Sequence, residues 1–299
     1  MQIGDYRVEV VPDTEFRLDG GAMFGVVPRV LWERVCPPDE LNRIKLNMNC
    51  LFIDTGKKKI LIETGIGSKW TAKETAIYGI NRGRTFSESL KKITGCETGD
   101  IDIVINTHLH FDHAGGNTVD NYEFQISHFK LEGEEQRAKV ESKKLLPQFS
   151  NARYLVSHSE FQAAELPHER DRASYLSENW HPLIDSKQLD LMPDIYEPVP
   201  GLVVEQARGH SDTMQTIKLT SGGETLFGFF DLIPTRHHLP LAWIMSYDLY
   251  PAETLEFKKR ILPQALEENW ICYFYHDLEM PLCRLVQIGD KIKGVPIEG

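Results

Sequence analysis

The 299-residue chain has only five cysteines (Cys36, Cys50, Cys96, Cys272 and Cys283), widely scattered and with no Cys-x-x-Cys pair. An odd, scattered set excludes a disulfide framework and a thiolate zinc site, and reads as reduced thiols of a cytoplasmic protein. No apolar run approaches the roughly 20 residues of a membrane span, so no membrane partner is expected. The opening Met-Gln-Ile-Gly-Asp-Tyr lacks the basic start and apolar stretch of a signal peptide. Basic residues are outnumbered: 33 Lys and Arg face 44 Asp and Glu, a formal net charge of −11. Such a chain repels polyanions unless a local basic patch intervenes. The densest basic runs, Lys57-Lys58-Lys59 and Lys143-Lys144, read as a hairpin turn and a solvated helix face, so nucleic acid is not an expected partner. Repeats and low-complexity linkers are also lacking, which leaves one domain over residues 1–299 as the expectation.

What is present is ordinary globular composition, 41% hydrophobic and 26% charged. Tyr6, Val8 and Val10 alternate with polar residues as in a half-buried strand. Asn49 to Asp54 and Lys59 to Glu63, separated by Thr-Gly-Lys-Lys, predict a hairpin. Thr85-Phe-Ser-Glu88 predicts a helix start and Gly95 its stop. Ile101 to Ile105 reads as a short strand. Residues 119–146 are charged and helical in pattern, a surface insertion. Strands follow at Arg153–Ser157, Leu202–Ala207, Met214–Leu219, Thr225–Phe230 and Ile271–Tyr275. A helix over Ala252–Glu268 carries Leu255, Lys258, Lys259, Leu262 and Leu266, consistent with one packed and one solvated face. Strands at both ends of the chain with helices between them suggest two sheets covered by helices.

The most informative segment is Thr107-His108-Leu109-His110-Phe111-Asp112-His113-Ala114-Gly115-Gly116. Four metal-ligand types lie within six residues, directly after a strand. His108 and His110 share one side of an extended stretch, and Asp112 and His113 follow on a turn the glycines permit. Further polar residues end apolar strands: Gly209-His210-Ser211, Phe229-Phe230-Asp231 and Phe274-Tyr275-His276. A carboxylate placed so needs a partner to offset desolvation. Imidazoles with a few carboxylates suit Zn²⁺, and also Fe, Mn or Co. The remaining histidines mostly read as structural or exposed: His128, His168 and His181 in polar stretches, and His158 as a cap for the helix after it.

His108-x-His110-x-Asp112-His113, then Gly-His210-Ser, then Asp231, then His276, resembles the metallo-β-lactamase superfamily over nearly the whole chain. The resemblance implies an α/β fold, a four-layer αβ/βα sandwich. It implies that His108, His110 and His210 bind one divalent ion and Asp112, His113 and His276 a second, with Asp231 and a water or hydroxide bridging them. The sequence is most similar to the acyl-homoserine-lactone lactonase and organophosphate hydrolase branch, including Pro147 to Tyr154 and Glu169 to Tyr175. The implied function is metal-dependent hydrolysis of a small-molecule lactone or ester. Phosphotriester or aryl-ester hydrolysis is the alternative, and a non-hydrolytic accessory protein of the same fold a third. Related lactonases are often dimers, which makes a homodimer a candidate assembly. Two positions depart from the pattern. Pro234 stands where lactonases have a Tyr that reaches the substrate carbonyl, and Glu63-Thr64-Gly65 stands where the superfamily has Asp-Thr-Gly.

The expected chemistry is attack by hydroxide on a carbonyl or phosphoryl centre, with Asp112 passing a proton to the departing alkoxide. Glu63, Asp54, Asp212 or backbone carbonyls are the expected partners for the second ring nitrogens of the ligands. The stretch Gly20 to Trp32 is apolar yet loop-like, and Met23, Phe24 and Trp32 are candidates for a pocket wall. His237 and His238, just after Asp231, are candidates to meet substrate.

Overall fold

The computed structural model describes residues 1–120 and 144–297. Two seven-stranded sheets form the frame. The first orders β1 (Gln2–Ile3), β2 (Tyr6–Asp19), β3 (Arg43–Asp54), β4 (Lys59–Ile62), β5 (Ile103–Ile105), β8 (Arg153–Ser157) and β9 (Leu189–Met192). A two-stranded pair, β6 (Thr118–Asp120) and β7 (Leu145–Pro147), stands apart. The second large sheet runs in chain order: β10 (Ile195–Val199), β11 (Leu202–Gln206), β12 (Gln215–Ser221), β13 (Glu224–Gly228), β14 (Ile271–Tyr273), β15 (Leu282–Ile288) and β16 (Lys291–Val295). Helix Phe86–Thr94 packs on the first sheet and helix Pro251–Glu267 on the second. One buried apolar cluster draws on both sheets, from Val8, Phe16 and Leu51 to Leu219, Phe227 and Tyr273. This is the αβ/βα sandwich of the expected fold class.

Local rules produce these elements. The hairpin pairs Asp54 with Lys59 across its turn. Helix Phe86–Thr94 starts with a capping box between Thr85 and Glu88 and stops at left-handed Gly95. Four strands, β4, β5, β8 and β9, run parallel, as do β13 and β14. Loops leaving the carboxyl ends of parallel strands are where open α/β sheets place ligands. Backbone bonds join the two sheets at this rim: Asn49 N–H donates to Tyr275 O at 3.0 Å and Gln215 N–H to Thr107 O at 3.0 Å.

The structure corrects three local expectations. Gly20 to Trp32 is not a loop. It forms two short helices, Gly20–Phe24, capped by the Asp19 carboxylate on Ala22 N–H, and Arg29–Trp32. The helix starting at His158 is capped by Ser157 rather than by His158. On helix Pro251–Glu267 the core face is Thr254, Phe257, Lys258, Ile261, Leu262 and Ala265, so Lys258 is buried. Its ammonium donates to three carbonyls, His238 O and Pro240 O at 2.7 Å and Trp243 O at 3.0 Å, which replace water. Most of the expected insertion at 119–146, with His128, lies outside the described residues. Its described ends pair antiparallel in β6 and β7.

Candidate metal centre

Four chain segments deliver donors to one rim. His108 and His110 follow β5, and His110 precedes the helical turn Phe111–Ala114 that carries Asp112 and His113. That turn is held from both sides: Tyr275 Oη donates to Asp112 O at 2.7 Å, and Thr64 N–H to His113 O at 2.8 Å. A Cβ on Gly116 would lie 2.1 Å from Thr64 O, so only glycine lets the two loops approach this closely. Asp231 follows β13 in a tight turn after Phe230, whose φ of +48° is strained for a side-chain-bearing residue. His276 follows β14, and His210 precedes β12, whose start lies beside the end of β13.

Here the seven residues expected from the sequence converge, all buried. His108, His110 and His210 form one group of donors, and Asp112, His113, Asp231 and His276 another, each with its donor atoms within 4.8 Å of one another. Asp231 touches both. Its Oδ1 lies 3.1 Å from His113 Nε2 and 3.2 Å from His276 Nε2. Its Oδ2 lies 3.4 Å from His210 Nε2 and 4.0 Å from His108 Nε2. His210 Nε2 also sits 3.1 Å from His110 Nδ1, and His276 Nε2 3.5 Å from Asp112 Oδ2.

These separations fit divalent cations. Zinc–ligand bonds of about 2.0–2.1 Å set tetrahedral donor–donor edges of about 3.3 Å. His108 Nε2, His113 Nε2 and Asp231 Oδ1 are buried with no hydrogen-bond partner, an expense that a bound cation removes. Charge points the same way. Burial and the neighbouring His113 and His110 hold His108 well below the usual histidine range, leaving it a neutral lone-pair donor. Burial opposes protonation of His113 too, but the Asp231 and Asp112 carboxylates outweigh it and hold that ring well above the usual range. Burial works against an ionised Asp231, yet His113, His276 and His210 together keep its carboxyl well below the ordinary value. An anionic Asp231 among imidazoles is a site that calls for positive charge.

The outer partners differ in part from those expected. Glu63, left-handed at φ +63°, accepts from Thr107 N–H at 3.1 Å and from the Thr107 hydroxyl, and lies 3.5 Å from His113 Nδ1. His276 Nδ1 meets Asn47 O at 2.9 Å, and His108 Nδ1 meets Thr107 Oγ1 at 3.1 Å. Asp54 and Asp212 play no such part. Asp54 caps its own hairpin turn on Gly56 N–H, and Asp212 pairs with Arg208. The partner of His210 is Asp248, 3.1 Å from Nδ1, which also accepts from Thr254 at 2.7 Å. The carboxylate nearest the outer nitrogen of His110 is Asp171, at 3.9 Å. Sequence reasoning missed Asp248 and Asp171. The available signals were an acid between apolar residues in Tyr247-Asp248-Leu249 and the lactonase-like segment Glu169 to Tyr175.

A cleft of about 320 Å³ opens onto His110, Asp112, His210, Asp231 and His276. Leu18, Met23, Tyr78, Phe111, Met245 and Tyr247 supply its apolar and aromatic walls. Of the residues expected at a pocket wall, Met23 lines this cleft. Phe24, Trp32 and His238 do not line this cleft. Phe24 stacks between Trp32 at 5.4 Å and His238 at 4.6 Å, all three buried. His238 is satisfied internally, bonding Thr235 Oγ1 at 2.8 Å and Met23 O at 2.9 Å. An apolar stretch next to a site packs as core when its own partners fill the space. His237 lines a different cavity, with Cys36, Arg236 and His276.

The chain is similar to known proteins in sequence and in fold. Residues 44–132 match the model of the metallo-beta-lactamase superfamily. An N-acyl homoserine lactonase of Bacillus cereus is 26% identical over 257 residues, covering 80% of this chain and 84% of that protein. A crystal structure described as a probable metal-dependent hydrolase from Staphylococcus aureus superposes with a TM-score of 0.85 at 28% identity, covering 100% of this chain and 99% of the other. AidC, a dizinc quorum-quenching lactonase in complex with a product, shares the fold with a TM-score of 0.73 at 18% identity, covering 100% of this chain and 97% of its own. Among the described residues no helix is long and apolar enough to cross a membrane.

Proposed function

We propose that this chain, a metal-dependent hydrolase carrying a metallo-beta-lactamase superfamily domain, holds two divalent cations and hydrolyses lactones or related carboxylic esters. The observation that carries the two-cation reading is the split of Asp231, one oxygen turned to each donor group. His108, His110 and His210 would hold one ion and Asp112, His113 and His276 the other, with Asp231 facing both donor groups. Five imidazoles and two carboxylates suit zinc best, with Fe, Mn or Co accepted by the same donors.

When bound, the cations supply a water acidified toward neutrality and a Lewis acid for the oxygen that gains charge. The chain's residues do the rest. Asp248, Thr107 and the Asn47 carbonyl bond the outer ring nitrogens of His210, His108 and His276, and Glu63 lies 3.5 Å from that of His113, so these imidazoles present their other nitrogens in fixed directions. Met23, Phe111 and Met245 exclude water around the apolar part of a substrate, in a cleft at the small end of ligand pockets. Asp112 lines the cleft, where it can take up the proton that the attacking water gives up and pass it to the departing alkoxide. Lactone or ester hydrolysis is supported by the named lactonase relatives together with this apolar cleft.

A second reading, hydrolysis of phosphotriesters or aryl esters, is favoured by Pro234, which is buried and offers no hydroxyl to a carbonyl. The test is metal analysis followed by paired assays on an acyl-homoserine lactone and a nitrophenyl phosphotriester. Two ions per chain with preferential lactone turnover supports the first reading. One ion or none, or turnover of neither substrate, refutes it, and preference for the phosphotriester transfers the assignment to the second.

A further inference from the structure

We infer that Glu160 is a positioning residue that sets the spacing of the donor group His108, His110 and His210 without touching metal or substrate. It sits in the first turn of helix His158–Glu165, fully buried, and lines no part of the cleft. One carboxylate oxygen accepts from Leu109 N–H at 2.7 Å, the residue between His108 and His110. The other accepts from the Thr213 hydroxyl, in the loop that presents His210. The Tyr175 side chain interacts with the same carboxyl group. Tyr175 packs its ring on His110 with centroids 4.7 Å apart, and its backbone bridges to His110. A single buried group therefore ties together three segments that meet only in the folded chain, the first two carrying all three donors.

The chemistry of the node explains why a carboxylate occupies it. Two donors from distant segments meet here, one on each oxygen, and a carboxylate has an acceptor for both. Burial pushes the carboxyl up to about 7, while the bonds from Thr213 and Leu109 act against burial. Glutamine at this position keeps one carbonyl acceptor for Leu109 N–H and turns an amide toward Thr213, whose hydroxyl then accepts instead. Alanine leaves the Leu109 N–H and the Thr213 hydroxyl as two buried donors without this partner.

This inference rests on the ligand assignment proposed above, and the experiment separates the two. The stripped full-length protein is titrated with Zn(II) against a chelator, for the parent, Glu160→Gln, Glu160→Ala and Thr213→Val. The unfolding temperature of each stripped protein is recorded, along with kcat and KM on one ester. The expected result is a 10- to 100-fold weaker affinity for one of the two ions in Glu160→Ala, with smaller losses in Glu160→Gln and Thr213→Val. With zinc subsaturating kcat falls while KM stays at the parent value, because Glu160 does not meet substrate. If Glu160→Ala does not fold, Glu160→Gln and Thr213→Val carry the test. Parental zinc affinity in the variants, with only the unfolding temperature lowered, overturns the inference and leaves Glu160 a core residue. A parent that binds no zinc instead overturns the ligand assignment, whatever the variants do.

Discussion

Replacing Asp248 probes how an imidazole is prepared for a cation. His210 directs Nε2 into the donor cluster, 3.1 Å from His110 Nδ1 and 3.4 Å from Asp231 Oδ2. To offer a lone pair there, it must carry its proton on Nδ1, which faces Asp248 Oδ1 at 3.1 Å. Thr254 fixes the other oxygen at 2.7 Å, so the carboxylate cannot rotate away. Burial raises the Asp248 carboxyl, while the hydrogen bond and charge of His210 act to lower it. Asparagine keeps an oxygen for Nδ1–H and swaps the Thr254 bond, losing charge but not geometry. Alanine strands Nδ1–H and the Thr254 hydroxyl, two buried donors. Outer partners of metal-bound histidines contribute about 10- to 100-fold in affinity, or about 1.4–2.7 kcal/mol. Asparagine is expected at the lower end and alanine at the upper. Chelator competition with Zn(II) on the stripped protein measures this directly. Parental affinity in Asp248→Ala would show that His210 is positioned by its loop alone and that the carboxylate is not coupled to the site.

Other expectations concern the centre, the buried lysine and the core. Asp231→Ala removes the residue shared by both donor groups, so metal content is expected to fall below one ion per chain by elemental analysis, with ester turnover lost. Exhaustive chelation of the parent is expected to abolish turnover and lower the unfolding temperature, both restored by added Zn(II), since a ligand that binds only the folded state stabilises it. Burial pushes Lys258 down to about 7 from its ordinary 10.5. Between those values the unfolded chain holds a proton that the folded chain lacks, so parent stability rises with pH across that window. The change is at most about 5 kcal/mol, reduced by the three carbonyls that favour the ammonium. Lys258→Met is expected to lose this slope in denaturant titrations at pH 7 and pH 10, and equal slopes would refute the assignment. Phe24→Ala empties a stacked core position and is expected to cost about 3–5 kcal/mol. The same substitution leaves KM unchanged in steady-state kinetics, since Phe24 does not line the cleft.

Much of the architecture was legible because short-range rules govern it. The hairpin before Glu63, the capping box of Thr85 and Glu88, and the left-handed Gly95 stop each depend on residues close in sequence. The donor-rich turn was legible for the same reason, with four candidates in six residues. His210, Asp231 and His276 stood out because each interrupts or borders an apolar run, where an unpaired polar group is costly. The groups that brace the site left weaker traces. Asp248 lies 38 positions from His210, and Glu160 lies 51 from Leu109 and 53 from Thr213, so no periodicity links them. Lys258 matched a solvated position on its helix and proved buried, because carbonyls from the loop after His238 supply its solvation.

By itself the sequence determined the elements and the kinds of donor available. Backbone preference, capping and hydrophobic period act over a few residues, and a histidine or an aspartate is what it is wherever it lies. Only the tertiary structure decided which atoms face which. It turned the two oxygens of Asp231 toward different groups, gave His210 a carboxylate partner, and stacked Phe24 into the core while leaving Met23 on the cleft wall. Those choices depend on how two sheets meet at one rim, and contact between distant segments is a property of packing that no local window contains.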